Sequence, residues 1–282
     1  SGQPRVGGTG GFERNTERIV MIDLFIIKVG GNVIDNPALL QTFLEKFATI
    51  PGKKILIHGG GKIATRMGDK LGIASKYVDG RRITDAATID LVTMVYGGLV
   101  NKQLVAKLQA SGCNAIGLTG ADANIIPAVK RPVKEIDYGF VGDIYTEKLH
   151  TAPLQALLEA GITPVFAPLT HDGNGQILNT NADTIASSLA IALSAHYSVR
   201  LIFCFEKKGV LRDPADDDAV INLINKEIYQ QLLTEKILTD GILPKLQNAF
   251  GAIDNGVKEV LIGHADDVLS NTTTKVAGTL IC

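Results

Sequence analysis

The chain has no tryptophan, and only 5% of its residues are aromatic, so its core must be built mainly from aliphatic side chains. Its three cysteines, Cys113, Cys204 and Cys282, have neither metal-binding nor redox spacing, and their odd number argues against a disulfide framework. Free thiols point to a reducing compartment, and a cytoplasmic location is expected. The five histidines are scattered without zinc-type pairing. An excess of one charge sign is also lacking: 28 Lys and Arg stand against 29 Asp and Glu, for a net charge of -1. That removes the electrostatic case for nucleic acid or an anionic membrane as a partner. No apolar run approaches the roughly 18 residues of a membrane-spanning helix. A G-x-x-x-x-G-K-[ST] phosphate loop is absent, as are an internal repeat and a low-complexity core.

What the chain does have is length and apolar content. Its 282 residues, 45% hydrophobic, can bury a large core as one domain or two lobes. Residues 1–20 are rich in glycine and lack the apolar stretch of a signal peptide. They are expected to form a flexible leader, with Met21 a natural start. From Met21 onward, strand and helix patterns alternate. Asn36-Pro37 opens a helix with Leu39, Leu40, Phe43, Leu44 and Phe47 on one face. One helix is predicted from Thr84-Asp85 through Val95, and another from Leu99 to Gln109, stopped by Ser111-Gly112. Hairpin strands are expected within 124–146, and helices over 154–160, 182–194, 227–236 and 242–255. Further strands are predicted at 114–118, 162–166, 199–205 and 258–262. Strands separated by helices imply an α/β fold with a mainly parallel sheet covered on both faces, a three-layer αβα sandwich.

Two predicted strands run into glycine clusters: Leu24–Val29 into Gly30-Gly31, and Lys54–His58 into Gly59-Gly60-Gly61. Glycines after a buried strand let backbone N–H groups approach an anion, and a helix N-terminus just beyond adds partial positive charge. Two such turns about 30 residues apart, the first preceded by Lys28, suggest a site built around a phosphoryl group. A rival reading is the dinucleotide fingerprint G-x-G-x-x-A in Gly59–Ala64, with Asp79 as the distal acid. It requires a second apolar strand, whereas Ser75–Gly80 is short and polar, and it leaves Lys28–Gly31 unexplained.

Five segments, taken in order, resemble the amino-acid kinase family. They are Lys28-Val29-Gly30-Gly31, His58-Gly59-Gly60-Gly61, Gly80-Arg81-Arg82-Ile83-Thr84, Asn179-Thr180-Asn181-Ala182-Asp183 and Thr239–Lys245. The resemblance spans Met21 to Cys282 and is greatest to members that phosphorylate N-acetyl-L-glutamate; Met94–Lys102 adds to that similarity. It implies an amino-acid kinase fold, with a lobe at 21–178 for the acylglutamate and a lobe at 179–282 for ATP. It also implies Lys28 and Lys245 as catalytic cations organised by Asp183, although Asp183 read alone is a helix-start residue. Lysines suit the task because phosphoryl transfer needs charge neutralisation more than covalent help. Asp240 is expected to cap the helix that carries Lys245. Arg82 and Asn179 are expected to hold the α-carboxylate, with Gly59 and Gly60 by the γ-carboxylate and the transferring group.

On the nucleotide side Gly30, Gly31, Glu206, Lys208 and Gly209 are expected, with Glu206 at the family's acidic position and Lys208 an extra cation before the glycine. There the chain departs from the family pattern: Phe205-Glu206-Lys207-Lys208-Gly209 lacks the usual hydroxyl residue. Mg²⁺ is expected to arrive with ATP, with no dedicated protein metal cage. Residues 1–20 are too glycine-rich for the N-terminal amphipathic helix of arginine-inhibited members, so an arginine-insensitive homodimer is expected, paired through 85–110. Three alternatives stay open at this point: an N-succinyl-L-glutamate kinase, another amino-acid kinase such as a carbamate or glutamate 5-kinase, and a nucleotide or arginine sensor without catalysis.

Overall fold

The computed structural model describes residues 21–78, 80–238 and 242–282. The expected leader at 1–20, Asp79 of the rival fingerprint and the expected cap Asp240 lie outside the described residues.

The chain opens with β1 (Asp23–Val29), a short α1 (Gly31–Ile34) and α2 (Pro37–Thr49). Asn36 caps α2, its side chain accepting from the N–H groups of Ala38 and Leu39, and Pro37 needs no partner in the first turn. β2 (Lys53–His58) leads into α3 (Gly61–Leu71), then a hairpin of β3 (Lys76–Val78) and β4 (Arg81–Ile83). This hairpin stands where a dinucleotide fold needs a second parallel strand, which removes the rival reading of Gly59–Ala64.

Asp85 caps α4 (Ala86–Val92), which continues without a break through π turns at Thr93–Val100 into α5 (Asn101–Ala110). Two helices were expected here, and their pattern is joined by widened turns. β5 (Ala115–Leu118) follows, then the β6 (Ala128–Lys130) and β7 (Gly142–Ile144) hairpin, α6 (Ala152–Glu159) and β8 (Thr163–Phe166). A second hairpin, β9 (Leu169–His171) with β10 (Ile177–Asn179), precedes α7 (Ala182–Leu193) and β11 (Ser198–Phe205). The chain closes with β12 (Leu223–Ile224), α8 (Lys226–Thr234), α9 (Leu243–Asp254), β13 (Glu259–His264) and β14 (Thr279–Ile281).

Eight strands form one sheet in the order β12-β14-β13-β11-β1-β2-β8-β5, parallel except for the β13–β14 pair. Side chains alternate across it. Leu24, Ile26, Ile55, Ile57, Leu201 and Val260 pack with Leu154, Leu189, Leu232 and Leu246 from α6, α7, α8 and α9. Ile27, Val29, Leu56, Ile202 and Leu261 face the other way, against Phe43, Phe47, Ala64, Ile89 and Leu104 from α2, α3, α4 and α5. The three-layer αβα expectation holds, with a core on each face of the sheet. β1 sits between β2 of the first half and β11 of the second. The carboxyl ends of parallel strands around such a reversal of chain order form the usual crevice for ligands.

Candidate active site

β1, β2 and β11 end side by side, so their following turns converge. After β2, Gly60 has φ +155°, and a Cβ there would stand 3.1 Å from the Tyr96 ring, so only glycine fits. The two glycine turns touch: a Cβ on Gly59 would lie 3.3 Å from the Gly31 nitrogen. Gly30 donates its N–H to the Cys204 carbonyl at 2.9 Å, tying the first turn to β11.

Lys28, near the end of β1, meets Asp183 in the first turn of α7, Nζ to Oδ1 at 2.7 Å. Lys245, in the first turn of α9, reaches the other oxygen, Oδ2, at 3.0 Å. Asp183 does not cap its helix; Asn181 does, accepting from the N–H groups of Asp183 and Thr184. The carboxylate is therefore free to bridge both amines, and the three groups carry a net charge of +1. Burial alone pushes Asp183 upward, but Lys28 and Lys245 outweigh it and hold the carboxyl at about 2. The carboxylate stays ionised at any working pH, and the formal charges leave one positive charge for an anion.

Arg82 is 7% exposed and stacks over the Tyr77 ring, with Cζ 4.8 Å from its centroid. Its Nη2 donates to Gly61 O and Thr65 Oγ1, each at 2.9 Å, and Nη1 donates to Ser75 Oγ. Among the described residues it has no carboxylate partner. A buried guanidinium held only by neutral acceptors is a site that favours an anion. Asn179, at the end of β10, uses one amide N–H on Thr84 Oγ1 at 3.0 Å, which joins the β9–β10 hairpin to the residue after β4. Arg82, Tyr77 and Asn179, with Gly59, Gly60 and Gly61, line a cavity of about 250 Å³.

A second cavity of about 300 Å³ lies beyond β11, lined by Phe205, Glu206, Lys207, Gly209, Val210, Leu211, Pro214, Ile237, Ile242 and Lys245. Glu206 accepts from the Asn32 amide just past the first glycine turn. Lys208 is not in this lining; its amine pairs with exposed Asp218, while its neighbour Lys207 reaches Asp217 at 2.7 Å. Ala182 and Thr184 line the first cavity and Lys245 the second, so the Lys28–Asp183–Lys245 unit stands where the two meet. Among the described residues, no group of three or more His, Cys, Asp or Glu could hold a metal ion. None of the described helices is long and apolar enough to cross a membrane.

Tyr96 and Tyr77 were given no role from the sequence, nor was Asp143, whose pair with Arg131 lines the first cavity. A capping residue such as Asn181 has a local signal, an Asn just before an acid and an apolar run. A tyrosine that meets a glycine through π turns has none.

Residues 23–264 match the amino acid kinase family. The chain is 58% identical to an acetylglutamate kinase of Cytophaga hutchinsonii over 250 residues, covering 88% of this chain and 94% of that one. An acetylglutamate kinase of Phocaeicola vulgatus is 55% identical over 258 residues, covering 92% and 98%. A crystal structure of a Streptococcus mutans UA159 protein superposes with a TM-score of 0.71 at 27% identity, covering 92% of this chain and 98% of that one. With its sheet order, its converging glycine turns and these relatives all in agreement, the chain belongs to the amino acid kinase family.

Proposed function

We propose that the protein transfers the γ-phosphoryl group of ATP to the γ-carboxylate of N-acetyl-L-glutamate, giving the N-acetyl-γ-glutamyl phosphate and ADP. The observation that carries this reading is the Lys28–Asp183–Lys245 unit at the junction of two cavities, one beside an unpaired buried arginine. Relatives named acetylglutamate kinase, at 52–58% identity, support the choice of acceptor.

In this reading Arg82 takes the α-carboxylate of the acceptor through its guanidinium, and Asn179 contributes its second amide N–H. The γ-carboxylate then lies along Gly59–Gly60, directed at the γ-phosphorus. One carboxylate oxygen forms the new P–O bond while the bond to the ADP oxygen breaks. No proton moves, because the attacking carboxylate is already ionised near pH 7. Lys28 and Lys245 offset the negative charge that gathers as two anions approach, and Asp183 keeps the amines apart and aimed. ATP occupies the cavity beyond β11, its phosphates toward Gly30, Gly31 and Lys245, with Glu206, Lys207 and Gly209 around it. Residues 21–178 supply most of the acceptor lobe and 179–282 most of the nucleotide lobe, with Asn179 reaching the acceptor and Gly30–Gly31 the phosphates across that boundary. Mg²⁺ would arrive with the nucleotide and would supply further charge neutralisation, with no carboxylate cage among the described residues to hold it.

The reading extends to setting and assembly. The three thiols are free, and Cys113 and Cys204 are buried, which supports a cytoplasmic location. Exposed Met94 and Leu99 on the long helix, with Ile116 on the edge strand β5, support a homodimer paired there, testable by light scattering.

The deciding experiment is a substrate panel with ATP, trapping the acyl phosphate with hydroxylamine. N-acetyl-L-glutamate is expected to give the highest kcat/KM, with carbamate and free glutamate inactive. A preference for N-succinyl-L-glutamate by tenfold, about 1.4 kcal/mol, overturns the acyl group and keeps the kinase. ATP turnover with none of these acceptors overturns the reading.

A further inference from the structure

His58 separates β2 from the second glycine turn and is fully buried, yet the reaction above gives it no task. Its Nδ1 lies 2.7 Å from Gly59 O, and its Nε2 lies 3.2 Å from Asn101 Nδ2. Asn101 is also buried, and its Nδ2 lies 2.9 Å from Val165 O on β8.

The proton positions follow from these contacts in sequence. A main-chain carbonyl can only accept, so the end of the Asn101 amide facing Val165 must be its NH₂ group. The second N–H of that group points to His58 Nε2, which must accept it. A neutral imidazole has one proton, and here it must sit on Nδ1. That N–H donates to Gly59 O and holds the carbonyl beneath the ring. In a trans peptide the C=O and the N–H point to opposite sides. Fixing the Gly59 carbonyl therefore fixes the Gly60 N–H, which turns away from His58. On that side lies the first glycine turn, since a Cβ on Gly31 would stand 4.0 Å from Gly60 N. Among the described residues Gly60 N–H has no protein acceptor.

The helix is shaped for this contact. Tyr96 packs on Gly60 and Asn101 reaches His58, although they are five residues apart. In an α-helix residues five apart diverge by about 140° around the axis. The π turns at Thr93–Val100 bring both toward the same glycine turn. The arrangement leaves Asn101 Oδ1 buried without a partner, and a Cβ at Gly117 would lie 1.9 Å from that atom. Packing alone does not account for a buried polar pair that leaves one of its own acceptors unsatisfied.

We infer that Val165 O, Asn101 and His58 form a neutral relay that aims the Gly60 N–H at the transferring phosphoryl group, making His58 and Asn101 positioning residues. This rests on the kinase reading above. Burial pushes the His58 imidazole down to about 4, and nearby Lys102 acts in the same direction, so the ring is neutral in ordinary buffers.

Two measurements test the relay. In the ligand-free protein, two-bond ¹H–¹⁵N correlations should find His58 protonated at Nδ1 near pH 7; a proton on Nε2 overturns the inference. His58→Leu should lower kcat on the order of 100-fold, with KM for both substrates within about threefold. His58→Asn places an amide N–H near the Nδ1 position and should recover about tenfold of that loss. Equal kcat in the Leu and Asn variants overturns the relay, as does a loss confined to KM. If the Leu variant fails to fold, the tautomer and the Asn variant still decide. A wild-type protein inactive on every acylglutamate but protonated at Nδ1 refutes the proposed acceptor and keeps the relay.

Discussion

Around Arg82 the polar atoms hold one another in place: guanidinium to Gly61 and Thr65, Thr65 to Tyr77, Asn179 to Thr84, His58 to Asn101. Around Glu206 the polar groups face outward. Lys207 and Lys208 pair with exposed aspartates, and the cavity that Lys207 borders is walled by Phe205, Val210, Leu211, Ile237 and Ile242. The first region is organised before a ligand arrives, and the second offers an apolar slot with adaptable charges at its rim. A region built from hydrogen bonds tolerates few substitutions, because each loss leaves a buried group unpaired. A region built from apolar contact and solvated ion pairs tolerates many. Mutations should separate the two.

The largest effects are expected at the unit the two regions share. Lys28→Ala, Lys245→Ala and Asp183→Asn should each lower kcat by roughly 100- to 1,000-fold, with smaller changes in KM. Steady-state kinetics check this. A variant that keeps near wild-type kcat removes its residue from the charge-balancing role. Next comes Arg82→Gln, expected to lower kcat/KM for the acylglutamate about 50-fold through the lost two-point pairing. KM for ATP should stay unchanged. An equal loss on both substrates would mean that Arg82 supports the hairpin rather than the acceptor.

The same unit makes a prediction for acid stability. Lys28 and Lys245 hold the Asp183 carboxyl in the folded protein at about 2, below the ordinary 3.8. A depressed carboxyl stabilises the fold above its unfolded pKa, and that contribution is lost as pH falls through the folded value. Wild type should therefore lose about 2 kcal/mol relative to Asp183→Asn between pH 4 and pH 2. Urea unfolding of both proteins at several pH values measures it. Parallel pH profiles would show that Asp183 does not titrate below its unfolded range.

The contrast between the regions also explains what could be read from the residues alone. Strand and helix alternation from Met21 on, and the covered parallel sheet, follow from apolar periodicity, which the core on each face depends on. The β3–β4 and β9–β10 hairpins did not register, because three-residue polar strands have no period to detect. The π turns did not register either, since their spacing is set by what the helix packs against, not by its own propensities. Lys28, Asp183 and Lys245 were named from motifs 62 or more positions apart and meet within 3.0 Å. Lys28 and Lys245 are locally unusual, a cation ending an apolar strand and a cation in a helix's first turn; Asp183 alone is an ordinary helix-start residue, and only the family resemblance marked it. Tyr96, Thr84 and Asn101 look like ordinary helix and loop residues, and only the tertiary contact gives them a task.

The smallest effect expected is the one that most sharpens the comparison. Lys207 and Lys208 are adjacent lysines, each paired with an aspartate ten residues on, yet only Lys207 lines the cavity beyond β11. The sequence puts Lys208 just before Gly209, as an extra cation expected beside the phosphates. An exposed ion pair contributes little, because both charges are solvated and the side chains keep their freedom. Lys208→Ala should therefore change KM for ATP by less than about twofold. Lys207 can exchange Asp217 for a phosphate oxygen without leaving the cavity wall, so Lys207→Ala should raise KM for ATP by about three- to fivefold. Raising salt should shrink the Lys207 effect, since screening weakens a rim charge more than a buried one. The opposite ranking of the two lysines would mean that the loop turns on binding nucleotide and brings Lys208 inward. The Glu206 side would then be assembled by its ligand, while the Arg82 side is complete without one.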